Sequence, residues 1–177
     1  MSTILSLKGH SGCKLELFDN TLRKTSRDES YNSRLVKQME KQKSFIQSET
    51  VFTPLISSSG YDSSGLFFFE MEFINGISGT EFLLRSDNDQ FFWFVDEIDK
   101  HISSYSENEY VEIGKEVIGK VSEFDEFPTN ILEKVNWNVK QGSCHGDLTL
   151  ENMIIIEDKI FLIDFLDSFV EVPSIDQ

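Results

Sequence analysis

Short runs of alternating or β-branched apolar residues dominate the first part of the chain and predict a small antiparallel sheet. Polar and glycine-containing stretches separate these runs, and the Ser/Gly-rich segment 57–65 has the composition of a turn. The last run is long and aromatic, which is typical of a strand in the middle of a sheet. The predicted strands are 3–7, 14–18, 21–25, 52–56 and 66–74.

Helical periodicity appears once within this region and becomes dominant after Gly79. Segment 30–48 has apolar residues at helical spacing, with Ser30 as its expected N-cap, and four more helices are expected at 80–85, 87–104, 109–124 and 129–139. Thr129 is the expected cap of the last helix. In the second of these four helices a single stripe should face the core, formed by Phe91, Phe94, Val95, Ile98 and Ile102.

The change of period predicts an α+β protein with two lobes. Residues 1–74 would form an N-terminal lobe of antiparallel strands with one helix, and residues 80–177 a mainly helical C-terminal lobe. The sequence Asn-Gly-Ile-Ser-Gly at 75–79 interrupts the pattern and is the expected hinge. At 177 residues the chain is long enough to bury a hydrophobic core in such a fold.

The segment His145-Gly146-Asp147 and its surroundings have the composition of a catalytic loop between two buried strands. Asn152 follows Asp147 by five residues, and Asp164 ends the second apolar run. Paired strands would bring Asn152 and Asp164 to the same end of a cleft, where oxygen ligands can hold magnesium. One remaining carboxylate, Asp147, could then accept the proton of an attacking hydroxyl. These groups together indicate phosphoryl transfer from ATP.

Several upstream residues could serve the same cleft. The turn containing Gly9, Ser11 and Gly12 could fold over phosphates through its backbone N–H groups. Lys24 could point into the cleft from the third strand, and Glu40 could pair with it and hold the ammonium group against the phosphates.

The hinge offers a further contact with the nucleotide. Backbone groups from Glu72 to Asn75 would be suited to hydrogen bonds with an adenine edge. The nucleotide would then lie between the two lobes, with its base at the hinge.

Charge and composition limit the classes of partner. The net charge is −15, from 16 basic and 31 acidic residues, which opposes binding to nucleic acid or anionic membranes because both are polyanions. The same negative charge could suit a cationic substrate, although most proteins with such a charge simply have an acidic, solvated surface. Nucleic acid and membranes are therefore not expected as partners, and the candidate cleft indicates a nucleotide and a small-molecule substrate instead.

Cysteine use and hydropathy point to a reducing, cytoplasmic location. Cys13 and Cys144 lie far apart without the spacing of a disulfide framework or a zinc site. The N-terminus lacks the basic start and apolar core of a signal peptide, and no apolar run approaches the length of a membrane span.

At these residues the sequence resembles the superfamily of aminoglycoside phosphotransferases and choline kinases, which are small-molecule relatives of protein kinases. His145-Gly146-Asp147-Leu148 with Asn152 matches the H-G-D-L-x-x-x-N catalytic loop, and Asp164 lies in a match to the I-D-F metal-binding motif. Gly146 and Thr149 stand where serine/threonine protein kinases usually carry arginine and lysine. This favours a small-molecule acceptor.

The resemblance implies a protein-kinase-like fold and specific roles for the matching residues. Asp147 would be the catalytic base, Asn152 and Asp164 the magnesium ligands, and His145 a structural brace of the loop. Lys24 would be the third-strand lysine and Glu40 its helix partner. The implied cofactors are ATP and Mg²⁺, and the implied reaction is transfer of the γ-phosphate to a hydroxyl of a sugar or amino alcohol.

One departure from the family pattern concerns the C-terminal lobe. The family continues for many tens of residues past the metal aspartate, whereas Gln177 lies 13 residues after Asp164. The lobe is thus expected to be incomplete and to expose apolar surface that favours self-association or a protein partner. An alternative function is therefore nucleotide or partner binding without transfer. A protein kinase is a weaker alternative, because no long activation segment can follow Asp164.

Overall fold

The computed structural model describes residues 5–8, 12–104, 106–123, 132 and 134–166, and it contains two main sheets with helices packed against them. The strands are β1 (Leu5–Lys8), β2 (Lys14–Phe18), β3 (Thr21–Thr25), β4 (Val51–Phe52), β5 (Ile56–Tyr61), β6 (Phe67–Glu72), β7 (Ile77–Ser78), β8 (Ser106–Glu112), β9 (Asn138–Gly142), β10 (Met153–Ile156) and β11 (Lys159–Leu162). The helices are α1 (Asn32–Ser44), α2 (Gly79–Arg85), α3 (Asn88–Ser104) and α4 (Gly114–Val121).

The N-terminal sheet has five antiparallel strands in the order β1-β2-β3-β6-β5. The aromatic strand β6 lies inside the sheet, as its composition predicted, and places Phe67, Phe69 and Met71 on the face that α1 covers. Leu35 and Met39 of α1 pack against these side chains. This apolar layer fixes the position of α1 relative to β3, which carries Lys24.

A single 3₁₀ turn, Glu29–Tyr31, leads into α1. Its N-cap is Asp28, whose carboxylate accepts hydrogen bonds from the Tyr31 N–H at 3.0 Å and the Ser30 hydroxyl at 2.6 Å. The predicted cap Ser30 is therefore wrong. A carboxylate two residues earlier takes the orphan N–H group at the start of the 3₁₀ turn, and α1 itself follows Tyr31 without a side-chain cap.

The second sheet carries the loop that matches the family motif. Its order is β4-β11-β10-β7, with β10 and β11 joined by a tight turn and β4 parallel to β11. Two glycines allow the backbone to approach this sheet closely. A Cβ on Gly76 would lie 2.5 Å from the Ile155 carbonyl oxygen, and one on Gly79 would lie 2.7 Å from that of Leu150.

The larger apolar core lies between this sheet and helices α2 and α3. It contains Val51, Ile160, Leu162 and Phe165, together with Phe82 and Phe94 from the helices. Ser78 caps α2 by accepting from the Glu81 N–H at 3.2 Å. Asp87 and Gln90 exchange hydrogen bonds at the start of α3 in the manner of a capping box.

The predicted core stripe of α3 is only partly correct. Phe94 and Ile102 are buried and Ile98 packs against the core, but Phe91 and Val95 are each 43% exposed. Phe92 and Leu84 are more exposed still, at 62% and 82%. Apolar surface is therefore exposed on α2 and α3, as expected, while the predicted self-association or protein partner stays a prediction.

Two sequence-based assignments in the N-terminal lobe need correction. The strand predicted at 52–56 is two strands, β4 and β5, which belong to different sheets and are interrupted at Pro54. Much of the predicted turn at 57–65 is strand β5, and only the end near Asp62 turns back. Pairing of its backbone with β6 overrides the low strand propensity of serine and glycine at this exposed sheet edge.

The segment predicted as a helix at 109–124 begins as strand β8 and becomes helical only at Gly114. Strand β8 pairs with β9, which occupies the end of the helix predicted at 129–139. The two-stranded ladder buries Ile113 against Val117 and Trp137, a contact between distant segments that local periodicity does not reveal. The predicted cap Thr129 lies outside the described residues.

The architecture confirms the predicted α+β class, with an antiparallel N-terminal sheet, one covering helix and a following region that contains the other helices. The boundaries at 74 and 79 stay predictions. Strand β4 precedes the proposed hinge but joins the second sheet, and part of the proposed hinge is strand β7. Among the helices that the structure describes, none has the length and hydropathy to cross a bilayer.

Candidate active site

A cavity of about 430 Å³ lies between the two sheets. Aliphatic and aromatic side chains supply most of its wall, and its polar groups come from β3, α1, the end of β6 and the two ends of the β10–β11 hairpin. Its lining includes Leu15, Leu22, Lys24, Gln38, Phe69, Glu72, Phe73, Ile74, Asn152, Ile154, Ile163 and Asp164. An apolar slot with a few convergent polar groups is suited to a planar base joined to a charged group.

Lys24 projects into this cavity and is 6% exposed. Its ammonium group forms an ion pair with the Asp164 carboxylate and donates to the Gln38 side-chain oxygen at 3.4 Å. The Lys24–Asp164 contact joins the two sheets across the cleft. A buried ammonium group requires such a partner, because its desolvation is costly when unpaired.

The predicted pair between Lys24 and Glu40 does not form. Glu40 is exposed, whereas Gln38, two residues earlier, is 3% exposed and faces Lys24. A shift of two residues turns a side chain by roughly 200° around a helix, so the two positions lie on nearly opposite faces. The helix partner of Lys24 is therefore a neutral amide, and the negative charge near Lys24 comes from Asp164.

The predicted catalytic loop folds around backbone and side-chain hydrogen bonds. The Asn152 amide donates to the Asp147 carbonyl oxygen at 2.9 Å and to the Asp147 carboxylate at 3.0 Å. Gly146 has a φ of 90°, a conformation that glycine adopts without a steric penalty. The loop thus holds Asp147 exposed beside Asn152, and the side-chain amide oxygen of Asn152 is left available as a ligand.

His145 is fully buried beneath the loop. Its Nε2 lies 2.9 Å from the Ile163 carbonyl oxygen, and its Nδ1 accepts from the Asp147 N–H at 3.4 Å. Its ring also packs against Phe165 at a centroid distance of 4.2 Å. Burial lowers the pKa of His145 to about 4, so the neutral ring joins the segments carrying Asp147 and Asp164. This geometry supports the predicted role of a structural brace.

Stability should fall between pH 7 and pH 5. Burial lowers the pKa values of His145 and His101 to about 4 from 6.5, so the unfolded chain binds more protons than the folded chain in this range. The stabilisation is complete above pH 6.5 and is lost as the pH falls towards 4. Each histidine should remove roughly 1 to 2 kcal/mol from the free energy of unfolding by pH 5. Urea unfolding at both pH values measures the change.

The variants His145→Gln and His101→Gln test the contribution of each ring. Each should keep only the part of the pH dependence that the other histidine supplies. Carboxylates such as Asp28 and Glu70, whose pKa values are lowered by hydrogen bonds from Ser30 and Ser58, remain ionised in this range. An unfolding free energy that does not change between pH 7 and pH 5 would contradict the assignment.

Asp164 lies two residues after the end of β11, and its backbone has a φ of 60°. Aspartate is one of the few residues that tolerate this left-handed region. The Ile163 N–H donates to the Asn152 backbone carbonyl at 2.9 Å, which brings the two predicted metal ligands together at the open end of the β10–β11 hairpin. Both side chains line the large cavity.

The donor set fits magnesium. Asp164 offers a carboxylate and Asn152 an amide oxygen, and magnesium commonly uses one or two such ligands with phosphate oxygens and water completing its coordination. Among the described residues no cluster of three or more His, Cys, Asp or Glu side chains could hold a metal ion. Binding here would therefore depend on the phosphates of a nucleotide.

The predicted hinge lies only partly at the cavity. Glu72, Phe73 and Ile74 line it, whereas Asn75 is exposed and does not. The N–H groups of Glu72 and Phe73 already donate to Leu55 and Asn20, each at 2.9 Å. Within the described part of the chain, the Ile74 N–H has no such acceptor, so it is better placed than Asn75 to donate to a base.

The predicted phosphate-binding turn can be placed only at its last residue. Gly9 and Ser11 lie outside the described residues. Gly12 has a φ of 78° and lines a different cavity, beside Arg27 and Thr25. The role of the turn stays a prediction.

A smaller cavity of about 240 Å³ adjoins the large one. Gln38 and Asp164 line both cavities, but Asp147 lines only the smaller one. Four further residues line this space and were not predicted from the sequence: Arg27, Tyr31, Arg34 and Gln38. Tyr31 lies in the 3₁₀ turn and Gln38 in α1, and both are buried. Apolar residues at helical spacing indicate which face of a helix is buried but not which polar group that face will meet.

No family model matches the chain, and no curated protein matches it in sequence. Solved structures do share its fold. The GDP complex of wild-type aminoglycoside 2'-phosphotransferase-IIIa superposes with a TM-score of 0.73 at 14% identity, covering 98% of this chain and 70% of the other. The streptomycin–ATP complex of APH(2")-IIa has a TM-score of 0.63 at 16% identity, with 98% and 69% covered.

A putative fructosamine-3-kinase from Haemophilus somnus is also similar, with a TM-score of 0.59 at 17% identity and coverage of 93% and 67%. At these identities the similarity concerns the fold. It confirms the resemblance to small-molecule kinases at the level of architecture.

Proposed function

We propose that this chain, which has the kinase-like fold of those small-molecule phosphotransferases, binds ATP with Mg²⁺ and transfers the γ-phosphate to a hydroxyl of a sugar or amino alcohol. The observation that carries the proposal is the convergence of Lys24, Asn152 and Asp164 on one cavity, with Asp147 in the adjoining one. Solved structures of similar fold contain ATP in one case and GDP in another.

In this proposal the larger cavity holds the nucleotide and the smaller cavity holds the acceptor. The base would lie between the apolar residues Leu22 and Ile154, near the Ile74 N–H, and the phosphates would extend towards Lys24. Lys24 would exchange its contact with Asp164 for one with a phosphate oxygen. Asp164 and Asn152 would then hold Mg²⁺, which when bound neutralises charge on the phosphates.

Asp147 would orient the acceptor hydroxyl and accept its proton. The acceptor oxygen forms a bond to the γ-phosphorus as the bond from that phosphorus to the β–γ bridging oxygen breaks, and ADP leaves. The hydrogen bond from Asn152 orients the Asp147 carboxylate, and His145 keeps the loop in place from below. Catalysis of this kind depends mainly on positioning and electrostatics.

A second candidate function is nucleotide binding without transfer. The observation that favours it is the neutral Gln38 beside Lys24, because protein kinases require a lysine–glutamate ion pair at this place for activity. Binding of Mg²⁺ and ATP with no transfer to any member of a broad panel of hydroxyl compounds would favour this alternative.

Nucleotide binding can be tested by thermal unfolding. ATP with Mg²⁺ should raise the unfolding temperature progressively with concentration, and by more than ATP or Mg²⁺ alone. Parallel titrations with GTP and Mg²⁺ determine which base is preferred. The variant Lys24→Met should bind the nucleotide about tenfold more weakly, since a charged hydrogen bond to phosphate contributes roughly 1.5 kcal/mol or more.

Lys14→Met is the matched control, because Lys14 is an exposed lysine on the neighbouring strand β2 and pairs with Glu16. It should leave nucleotide binding unchanged. If neither ATP nor GTP with Mg²⁺ shifts the unfolding temperature of the wild-type chain, the proposed function is wrong.

A further inference from the structure

The smaller cavity, which Asp147 lines, has two opposing walls of different chemistry. Asp147, Asp164 and Leu166 form one wall, whereas the other comes from α1 and the segment before it. That second wall carries two guanidinium groups, Arg27 and Arg34, in a chain whose net charge is −15. A local concentration of positive charge beside the predicted base is therefore unexpected from composition.

Tyr31 anchors this basic wall. The guanidinium carbons of Arg27 and Arg34 lie 4.6 Å and 5.6 Å from the centroid of its ring. Cation–π contacts at these distances hold both side chains near one another despite their like charge. Arg27 also forms an ion pair with Asp28 at 3.3 Å, whereas Arg34 forms no ion pair with any described residue. At least one cation of the wall thus lacks a carboxylate partner within the described part of the chain.

The polar atoms behind the arginines are buried and ordered by hydrogen bonds. Tyr31 is 7% exposed and Gln38 is 3% exposed. Lys24 donates to the Gln38 oxygen at 3.4 Å, and the Gln38 amide donates to the Tyr31 hydroxyl at 3.3 Å. Because the Tyr31 oxygen accepts this bond, its own proton is available to donate, and no described residue accepts it. A buried O–H donor on the cavity wall needs an acceptor.

We propose that this cavity binds an anionic group of the acceptor, a carboxylate or a phosphate, through Arg27, Arg34 and the Tyr31 hydroxyl. Guanidinium groups match the geometry of both anions and form strong charge-assisted hydrogen bonds with them. The anion would lie against the basic wall and the reacting hydroxyl against Asp147. This inference rests on the proposed function, and it selects sugar acids and phosphorylated sugars over neutral sugars and simple amino alcohols.

Direct binding of small probes tests the site independently of catalysis. Titration calorimetry with D-glycerate, glycerol 3-phosphate and glycerol compares a carboxylate, a phosphate and a neutral analogue of similar size. At least one anion should bind about tenfold or more tightly than glycerol, and the affinity should fall with added salt. The ratio of the two anion affinities shows whether the site prefers carboxylate or phosphate.

Substitutions then test whether the observed preference comes from this cavity. Arg34→Gln should weaken binding of the preferred anion about tenfold, and Tyr31→Phe should weaken it less, because a neutral donor contributes less than a charged one. Arg85→Gln is the control, since Arg85 is an exposed arginine on α2 that pairs with Glu81. Equal binding of glycerol and both anions, or an anion preference unchanged in Arg34→Gln, would overturn the proposal.

The same measurements separate this inference from the proposed function. A wild-type chain that binds ATP with Mg²⁺ but shows no anion preference would contradict only the anion site. A chain that prefers the anion and loses this preference in Arg34→Gln, yet binds no nucleotide, would support the site and contradict the kinase proposal.

Discussion

Asp147→Asn should lower phosphoryl transfer by about 10²- to 10⁴-fold, the usual contribution of a positioned general base. The variant keeps the size of the side chain and can still accept the hydrogen bond from Asn152, but it cannot take up the acceptor proton. Because Asp147 lines the smaller cavity and not the larger one, the affinity for nucleotide should change little. The measurement is turnover with an acceptor from the hydroxyl panel, beside thermal-shift titration with ATP and Mg²⁺.

Asp158→Asn provides the matched control for Asp147→Asn. Asp158 is an exposed aspartate in the turn between β10 and β11, on the same hairpin but away from both cavities. It should retain wild-type turnover. Equal turnover in Asp147→Asn and wild type would exclude the role of Asp147 as the base.

Asp164→Asn should remove most of the magnesium dependence of nucleotide binding and reduce turnover about 10²- to 10³-fold. A metal ion contributes several kcal/mol to the stabilisation of charge in the transition state, and Asp164 is the only carboxylate in the proposed ligand pair. The measurement is a set of ATP titrations at increasing Mg²⁺ concentration, with turnover measured under the same conditions. The affinity for ATP without Mg²⁺ should fall much less.

This substitution also removes the carboxylate partner of Lys24. The free energy of unfolding should fall by about 1 to 2 kcal/mol. This value is near the lower limit of what a hydrogen bond between charged groups contributes, because the Asp164 side chain is 38% exposed and water screens the interaction. The double variant Lys24→Met/Asp164→Asn should recover part of that loss. Asp96→Asn, at an exposed position of α3, controls for loss of one negative charge. Magnesium dependence identical to wild type in Asp164→Asn would show that the metal binds elsewhere.

The strands and helices that the sequence predicted best are those whose side chains contact near neighbours in the chain. Strands β2 and β3 match the predicted bounds, and α3 differs from its prediction by one residue. The failures occur where distant segments decide the structure. Strand β5 is polar and forms because β6 offers its edge, and β8 is strand because β9 pairs with it. Local periodicity contains no information about either partner.

The candidate site was predicted unevenly for the same reason. Asp147 and Asn152 lie in one loop and Asp164 follows one hairpin later, so their types and spacing defined them as one candidate group. Gln38 could not be chosen over Glu40 from sequence, because a small error in helical phase exchanges the buried and exposed faces. The basic wall was missed because it joins Arg27 and Arg34 to a loop more than one hundred residues later.

The sequence by itself determined the α+β class, the candidate residues of the His145–Asn152 loop and the presence of a lysine in the third strand, because each follows from a short-range pattern or from a compact motif. The tertiary structure decided which groups meet across the cleft. It paired Lys24 with Asp164 and Gln38, brought β4 and β7 into the sheet of the β10–β11 hairpin, and placed two arginines beside Asp147. These contacts depend on how two sheets and one helix pack, and packing is set by the whole core.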